Sequence, residues 1–183
     1  MLEVRFHGRG GQGAVTASKI LALAAFLRGE QVISFPFFGT ERRGAPVTAF
    51  TRIDSDPIML KTQVYEPDIV VVLDQYVMKT VDVTSGMKPN SKIIINSRQK
   101  PAELKIPYST ATVDATSIAI SLGLGNRANP IINTAIMGAL VRATGIVDLE
   151  SMKESVYEMS PAKKDANVRA VMAAYSSTMS GGR

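Results

Sequence analysis

Val4 and Phe6 alternate with Glu3 and Arg5 at the start of the chain, which is the two-residue period of a strand. A glycine-rich stretch, Gly8 to Gly13, follows. Ala14 to Leu27 is then rich in Ala and Leu and long enough for about four helical turns. Gly29 stops that helix, and Gln31 to Phe35 predicts a second strand. Val47 to Ile53 predicts a third, and its short connection suits an antiparallel partner for the second. Asp54-Ser55-Asp56-Pro57 is a turn. Ile69 to Leu73 is apolar without a break, as expected of a strand covered on both faces, and it ends in Asp74. Lys92 to Ile95 repeats the pattern and ends in Asn96, and Thr110 to Val113 repeats it again and ends in Asp114.

The remaining chain predicts helices. Ala115 to Leu122 comes first, closed by Gly123 and Gly125. A second has Asn129 as its cap, Pro130 at its first position and Gly145 at its end. Asp148 starts another, with Leu149, Met152 and Val156 on one face, and Ser160-Pro161 starts the last. Ser176 to Arg183 is expected to fray. The order of elements predicts an α/β protein: a three-layer α/β/α, Rossmann-like single domain over residues 1–183, with a mostly parallel but mixed central sheet. The helices from Ala14 and from Pro130 are apolar on nearly every side, so one of them is expected to border a subunit interface.

Composition narrows the chemistry. The 183 residues carry a net charge of +5, consistent with an anionic ligand or an acidic partner, but no run of like charges marks a nucleic-acid tail. Cysteine is absent, which excludes disulfides, a thiolate nucleophile, cysteine-bound zinc and an iron–sulfur cluster held by this sequence. His7 is the only histidine, so a multi-histidine metal site within one chain is excluded, as is a serine triad with its own histidine elsewhere. His7 itself is expected to be a strand-end residue hydrogen-bonded to backbone. The start of the chain has no signal-peptide pattern and no apolar run approaches a membrane span, so cytoplasmic residence with no membrane partner is expected.

The candidate site is the glycine stretch. Gly8, Gly10 and Gly13 fit G-x-G-x-x-G, with the strand before and the helix after that the motif requires. Such a loop points N–H groups, at the positive end of a helix dipole, toward an anion. The alternative is a tight turn without a ligand. A nicotinamide dinucleotide would want an acidic residue at the end of the second strand. The sequence offers Phe35-Pro36-Phe37-Phe38 there, and Glu30 stands at the wrong end. That weighs against an NAD-dependent dehydrogenase and leaves the anion-binding loop in place. Further on, Glu41, Arg42 and Arg43 are adjacent charges in an irregular loop ending in Gly44-Ala45-Pro46. Either arginine suits a fork onto phosphate or carboxylate, and the alternative is a solvated turn. Asp74 either lines the site or caps the helix after it.

Several of these stretches also carry a resemblance. Gly8-Arg9-Gly10-Gly11-Gln12-Gly13, Ser34-Phe35-Pro36, Phe38 through Val47 and Asn129 through Leu140 are similar, in order and spacing, to the gamma subunit of 2-oxoacid:ferredoxin oxidoreductases. The pyruvate/2-ketoisovalerate branch is the nearest in kind. The resemblance implies a part of a multi-subunit enzyme that oxidatively decarboxylates a 2-oxoacid to acyl-CoA and passes electrons to ferredoxin. It implies alpha-, beta- and delta-type partner subunits, which hold thiamine diphosphate and iron–sulfur (4Fe-4S) clusters, and a gamma-type domain associated with coenzyme A. On that basis the cofactor-binding set is Gly8, Arg9, Gly10, Gly11, Gln12, Gly13, Glu41, Arg42, Arg43 and Gly44, with no catalytic residue and no metal ligand on this chain. An isolated subunit could instead pair with itself. The alternatives are a free-standing oxidoreductase with its own NAD or flavin, and a purely structural subunit.

Overall fold

The computed structural model describes residues 1–37 and 44–181. Seven strands, β1 (Leu2–Arg9), β2 (Gln31–Phe37), β3 (Pro46–Asp54), β4 (Ile69–Val72), β5 (Lys92–Asn96), β6 (Ser109–Val113) and β7 (Met179–Gly181), form one sheet. Its order is β2-β3-β1-β4-β5-β6-β7. The four central strands β1, β4, β5 and β6 run parallel. The outer strands are antiparallel: β3 lies between β2 and β1 and opposes both, and β7 opposes β6. The mixed sheet expected from the short β2–β3 connection is therefore present. Of the tail expected to fray, Met179 to Gly181 form a strand instead, paired with Thr110 to Thr112. This pairing covers an edge of β6 that would otherwise be open.

One face of the sheet carries all five α-helices: α1 (Ala14–Leu27), α2 (Ala115–Ser121), α3 (Ala135–Thr144), α4 (Leu149–Met159) and α5 (Lys164–Ser177). Val4, Phe6, Val71, Ile94 and Val113 from alternate strand positions share a core with them. The opposite face presents Val70, Val72, Ile93 and Ile95 to Val77, Val83 and Met87, which lie on a 3-10 turn (Gln75–Lys79) and the irregular chain after it. β4 is thus covered on both sides, as its unbroken apolar run requires. The third layer is made of irregular chain and 3-10 turns.

The helix expected from Pro130 begins five residues later. Asn126 and Asn129 exchange backbone hydrogen bonds, Ile131 N–H donates to the Leu124 carbonyl at 3.0 Å, and Pro130 bridges to Gly125. Gly125 has a positive φ, and a Cβ there would collide with the Asn129 carbonyl. These bonds hold residues 124–131 as a small loop, and helical geometry starts only after Thr134. Gly145 closes α3 in the left-handed conformation, as expected. Ala135 to Val141 are all buried, and α3 packs on α5 and α4 of its own chain. The interface expectation therefore does not apply to α3. On α1 it comes down to Phe26 and Leu27 at the C-terminal end, which remain exposed.

Glu3, Arg5 and His7 occupy the β1 face that looks away from the helices, and Arg5 and His7 are buried. Arg5 Nε donates to His7 Nε2 at 3.0 Å, and its other nitrogens donate to the carbonyls of Val64, Val83 and Ser85. His7 therefore meets a side chain where a backbone partner was expected. Burial, and then the Arg5 charge, push the His7 pKa down to about 3 against an opposing pull from Asp82. The folded state thus holds a neutral imidazole, whereas the unfolded chain protonates it near pH 6.5. Stability from this group is complete above pH 6.5 and falls as pH drops toward 3. In urea unfolding, wild type should lose roughly 2 kcal/mol more than His7→Gln between pH 7 and pH 4.5. Parallel pH profiles would show that His7 is charged in the fold.

Candidate functional site

The parallel strands β1, β4, β5 and β6 all end on one side of the sheet, and a cleft of about 1100 Å³ opens there. This is where open α/β sheets bind ligands, at the point where the chain leaves β1 toward one side of the sheet and returns on the other. Arg9, Gly10, Gly11 and Gln12 form one wall together with Gly44. Asp74, Tyr76 and Lys79 follow β4, Asn96 ends β5 and Arg98 follows it, and Asp114 and Thr116 follow β6. The loop before α3 supplies Arg127, Asn129 and Ile132. Among the described residues the lining holds four cations (Arg9, Lys79, Arg98, Arg127) against two carboxylates (Asp74, Asp114), a net charge of +2.

The glycine loop is fixed by a few bonds. Gln12 N–H donates to the Arg9 carbonyl at 3.0 Å, which closes the turn. Gly11 and Gly13 take positive φ, whereas Gly8 and Gly10 do not. Gly8 is a packing glycine: a Cβ there would stand 3.3 Å from Ala14 Cβ and 3.5 Å from Leu73 Cβ. Gly10 lines the cleft, but its N–H is committed to the Ala45 carbonyl at 2.9 Å. Gly13 is the N-cap of α1; among the described residues no side chain caps that helix, and no acidic residue stands in its first turn. The positive end of α1 thus has no side-chain acceptor among the described residues.

Arg9 and Gln12 do not reach freely into the cleft. Arg9 Nε donates to Asp74 Oδ2 at 2.7 Å, and its guanidinium also lies 5.6 Å from the Tyr76 ring centroid. Gln12 accepts from the Arg9 N–H at 2.7 Å and donates to the same Asp74 oxygen. Asp74 also caps the following 3-10 turn through Tyr76 N–H at 2.8 Å, so both roles considered for it hold. Burial works to raise the Asp74 pKa; the Tyr76 amide, Gln12 and Arg9 outweigh it and hold the carboxyl below its ordinary value. Across the cleft Arg98 donates to Asp114 at 2.8 Å and to the Ser117 hydroxyl at 2.9 Å. Burial again raises the Asp114 pKa, and Ser117 with Arg98 brings it lower on balance. Both pairs are formed at neutral pH and are lost as pH falls through the depressed carboxylate range.

Of the ten residues read from the sequence as binding, the fold brings Arg9, Gly10, Gly11, Gln12 and Gly44 to the cleft. Gly8 and Gly13 support it from behind. Glu41, Arg42 and Arg43 lie outside the described residues. The sequence signalled Asp74, Asn96 and Asp114 by their places at strand ends. Arg98 and Arg127 stand in irregular chain and Tyr76 and Lys79 on a short 3-10 turn, with no motif around them, and only the topology collects them. Among the described residues there is no group of three or more acidic or histidine side chains able to hold a metal, and no helix long and apolar enough to cross a membrane.

Fold and site together define an α/β protein with a glycine-loop cleft of net positive charge. The chain belongs to the pyruvate ferredoxin/flavodoxin oxidoreductase family, which it matches over residues 3–177. It is 55% identical to the pyruvate/ketoisovalerate oxidoreductases common subunit gamma of Pyrococcus furiosus, with 97% of each chain covered. It is 49% identical to the pyruvate synthase subunit PorC of Methanocaldococcus jannaschii, with 96% of each covered. The crystal structure of pyruvate oxidoreductase subunit PORC from Thermotoga maritima superposes with a TM-score of 0.85 at 34% identity, over 99% of this chain and 98% of that one.

Two glycines separate backbone strain from packing. Gly29, at φ +85, has nothing within 4 Å of an added Cβ, whereas Gly13, at φ +80, would drive a Cβ to 2.5 Å from Asn133 Nδ2. Gly29→Ala should cost about 1 kcal/mol in thermal or urea unfolding, and Gly13→Ala about 1–2 kcal/mol more. Equal costs would show that Asn133 yields freely.

Proposed function

We propose that this chain acts as the gamma subunit of a multi-subunit pyruvate or 2-ketoisovalerate:ferredoxin oxidoreductase. The complex oxidatively decarboxylates a 2-oxoacid to acyl-CoA and passes the electrons to ferredoxin. Alpha-, beta- and delta-type subunits are its partners, and they hold the thiamine diphosphate and the iron–sulfur clusters. Without cysteine this sequence offers no thiolate for a cluster. The role of the gamma chain is to bind the phosphates of coenzyme A and to support assembly.

One observation carries the coenzyme A reading: the cleft places the glycine loop that leads into α1 in a lining of net charge +2. Coenzyme A brings a pyrophosphate and a 3′-phosphate, so it presents several negative charges at separated points. A site for it needs dispersed cations as well as one nest of backbone donors. In the cleft Arg9 stands in the glycine loop itself, and Lys79, Arg98 and Arg127 are spread over the rest of the lining. The missing acidic residue at the end of β2 disfavours NAD in the same place, because Phe37 stands at the strand's last position.

The test uses the assembled enzyme. Arg127 is exposed and lines the cleft, so Arg127→Glu changes the charge of the site by two units with little demand on the fold. The KM for coenzyme A should rise at least tenfold, a loss of about 1.4 kcal/mol of binding. The KM for the 2-oxoacid should stay as in wild type, since that substrate reacts on other chains. An unchanged KM for coenzyme A in a fully assembled variant would remove the phosphates from this cleft.

A further inference from the structure

Tyr76 is an aromatic residue left in the open where it lines the cleft. It stands on the 3-10 turn after β4, is 64% exposed, and is the only aromatic ring among the described residues of the lining. Two cations are gathered on it. The Arg9 guanidinium carbon lies 5.6 Å from the ring centroid, and Lys79 Nζ lies 4.5 Å from it. An aromatic face attracts a cation, but two cations brought to one ring repel each other. Asp74 compensates Arg9 alone, through Nε and Nη2. Among the described residues no protein acceptor meets Arg9 Nη1 or Lys79 Nζ.

Their place in the fold says what such a pair meets. β4 is the parallel neighbour of β1. In dinucleotide-binding sheets the pyrophosphate lies on the glycine loop after the first strand. An acid past a neighbouring strand accepts from the ribose hydroxyls, and where the ribose is phosphorylated an arginine serves instead. Asp74 stands past the neighbouring strand here, but both of its oxygens are engaged within the chain. Oδ2 accepts from Arg9 and Gln12, and Oδ1 accepts from the Tyr76 N–H. A bare ribose diol would compete with those donors for its acceptor. A phosphorylated ribose beside the same loop meets Arg9 and Lys79.

We infer that Arg9 and Lys79, held on the Tyr76 ring, form a seat for a phosphomonoester on the ribose of the ligand, so that the cleft selects phosphorylated over unphosphorylated ribose. The inference rests on the reading of this cleft as a coenzyme A site and deepens it: the group seated is the 3′-phosphate. A phosphomonoester carries roughly two negative charges at neutral pH, so it matches two cations where a hydroxyl matches neither. Arg9 offers the free end of its fork, and Lys79 offers an ammonium on a flexible stem. Tyr76 is a positioning residue, because its ring keeps both cations beside the glycine loop instead of in open solvent. The 2′-phosphate of a dinucleotide has the same chemistry, and only the position of the phosphate on the sugar separates the two.

Isothermal titration of the assembled complex tests this, with coenzyme A against dephospho-coenzyme A, and with adenosine 3′,5′-bisphosphate against its 2′,5′ isomer and AMP. Wild type should bind each 3′-phosphorylated probe at least about tenfold more tightly than its counterpart without that phosphate. Lys79→Gln and Tyr76→Leu should each bring that ratio down to about threefold or less, by weakening the phosphorylated probe alone. Tyr76→Phe should keep the wild-type ratio, because the ring remains. Tyr76 and Lys79 are both exposed, so the melting temperature should not move. A ratio near one in wild type, or a wild-type ratio in Lys79→Gln, would overturn the seat and leave the coenzyme A reading standing. Preference for the 2′,5′ isomer, lost in Lys79→Gln, with no binding of coenzyme A would keep the seat and overturn the coenzyme. Failure of wild type to bind any of these probes would overturn both.

Discussion

The face of the sheet opposite the helices depends on two buried guanidinium groups. Arg52 on β3 is 1% exposed; it donates to Glu3 at 2.7 Å and to the carbonyls of Leu60, Thr62 and Gln63. Arg5 on β1 donates to His7 and to three carbonyls farther along the same crossover from β3 to β4 and beyond it. Removing an ion from water costs several kcal/mol unless hydrogen bonds and an opposite charge replace the lost hydration. Arg52 has both. Among the described residues Arg5 has no carboxylate in contact; burial lowers its pKa, and the nearby Asp82 opposes that. A guanidinium remains charged even so, because its intrinsic pKa lies so far above neutrality. The carbonyls it collects must therefore stay where they are.

That requirement reaches the site. Arg5 and His7 fix the outward face of β1 against the chain around residues 64 and 83–85, while Val4 and Phe6 fix the inward face against the helices. A slip of one residue would exchange a guanidinium for a phenyl ring on both faces. With the register of β1 set, Gly8 falls opposite Val47 and beside Leu73, and the chain turns at Arg9 where β4 also ends. Asp74 is then within reach of Arg9 and Gln12. The loop that opens the cleft is placed by polar contacts on the far side of the same strand.

The sequence disclosed what depends on neighbours along the chain. The alternation around Val4, the apolar run of β4, the cap at Asp148 and the stop at Gly145 are all local patterns, and each stands where it was expected. Glu3 and Arg5 alternate with apolar residues in a way that suggests a wetted face, but that face is covered by chain from more than fifty residues later. No local pattern contains that fact. The start of α3 departs from the local pattern: Asn129-Pro130 is a sound helix signal in isolation, but the N–H groups of Asn129 and Ile131 bond the Asn126 and Leu124 carbonyls in a loop that includes Gly125. β7 was hidden for a similar reason: three residues have no strand signal until β6 offers them an edge. In the site, the glycine loop was legible as a motif. Arg98 and Arg127 were not, since their proximity is a product of topology.

The two carboxylates of the cleft explain how a positive site is kept in order. Four cations in one cavity would repel one another and spread into solvent if nothing held them. Asp74 and Asp114 stand at equivalent places, each just past the end of a parallel strand and each accepting the N–H groups of the turn that follows. Those N–H bonds aim each carboxylate before any cation arrives. Arg9 and Arg98 then settle on them at defined angles, one beside the glycine loop and one on the opposite wall. The carboxylates cancel two charges but orient both guanidinium groups, and each guanidinium keeps further donors to present to the cavity. Lys79, over the Tyr76 ring, and Arg127, on the loop before α3, supply the surplus. Orientation and net charge are thus divided between different residues. Replacing Asp74 with a neutral residue would raise the net charge of the cleft and still disorder it, because Arg9 and Gln12 would both lose the oxygen they share.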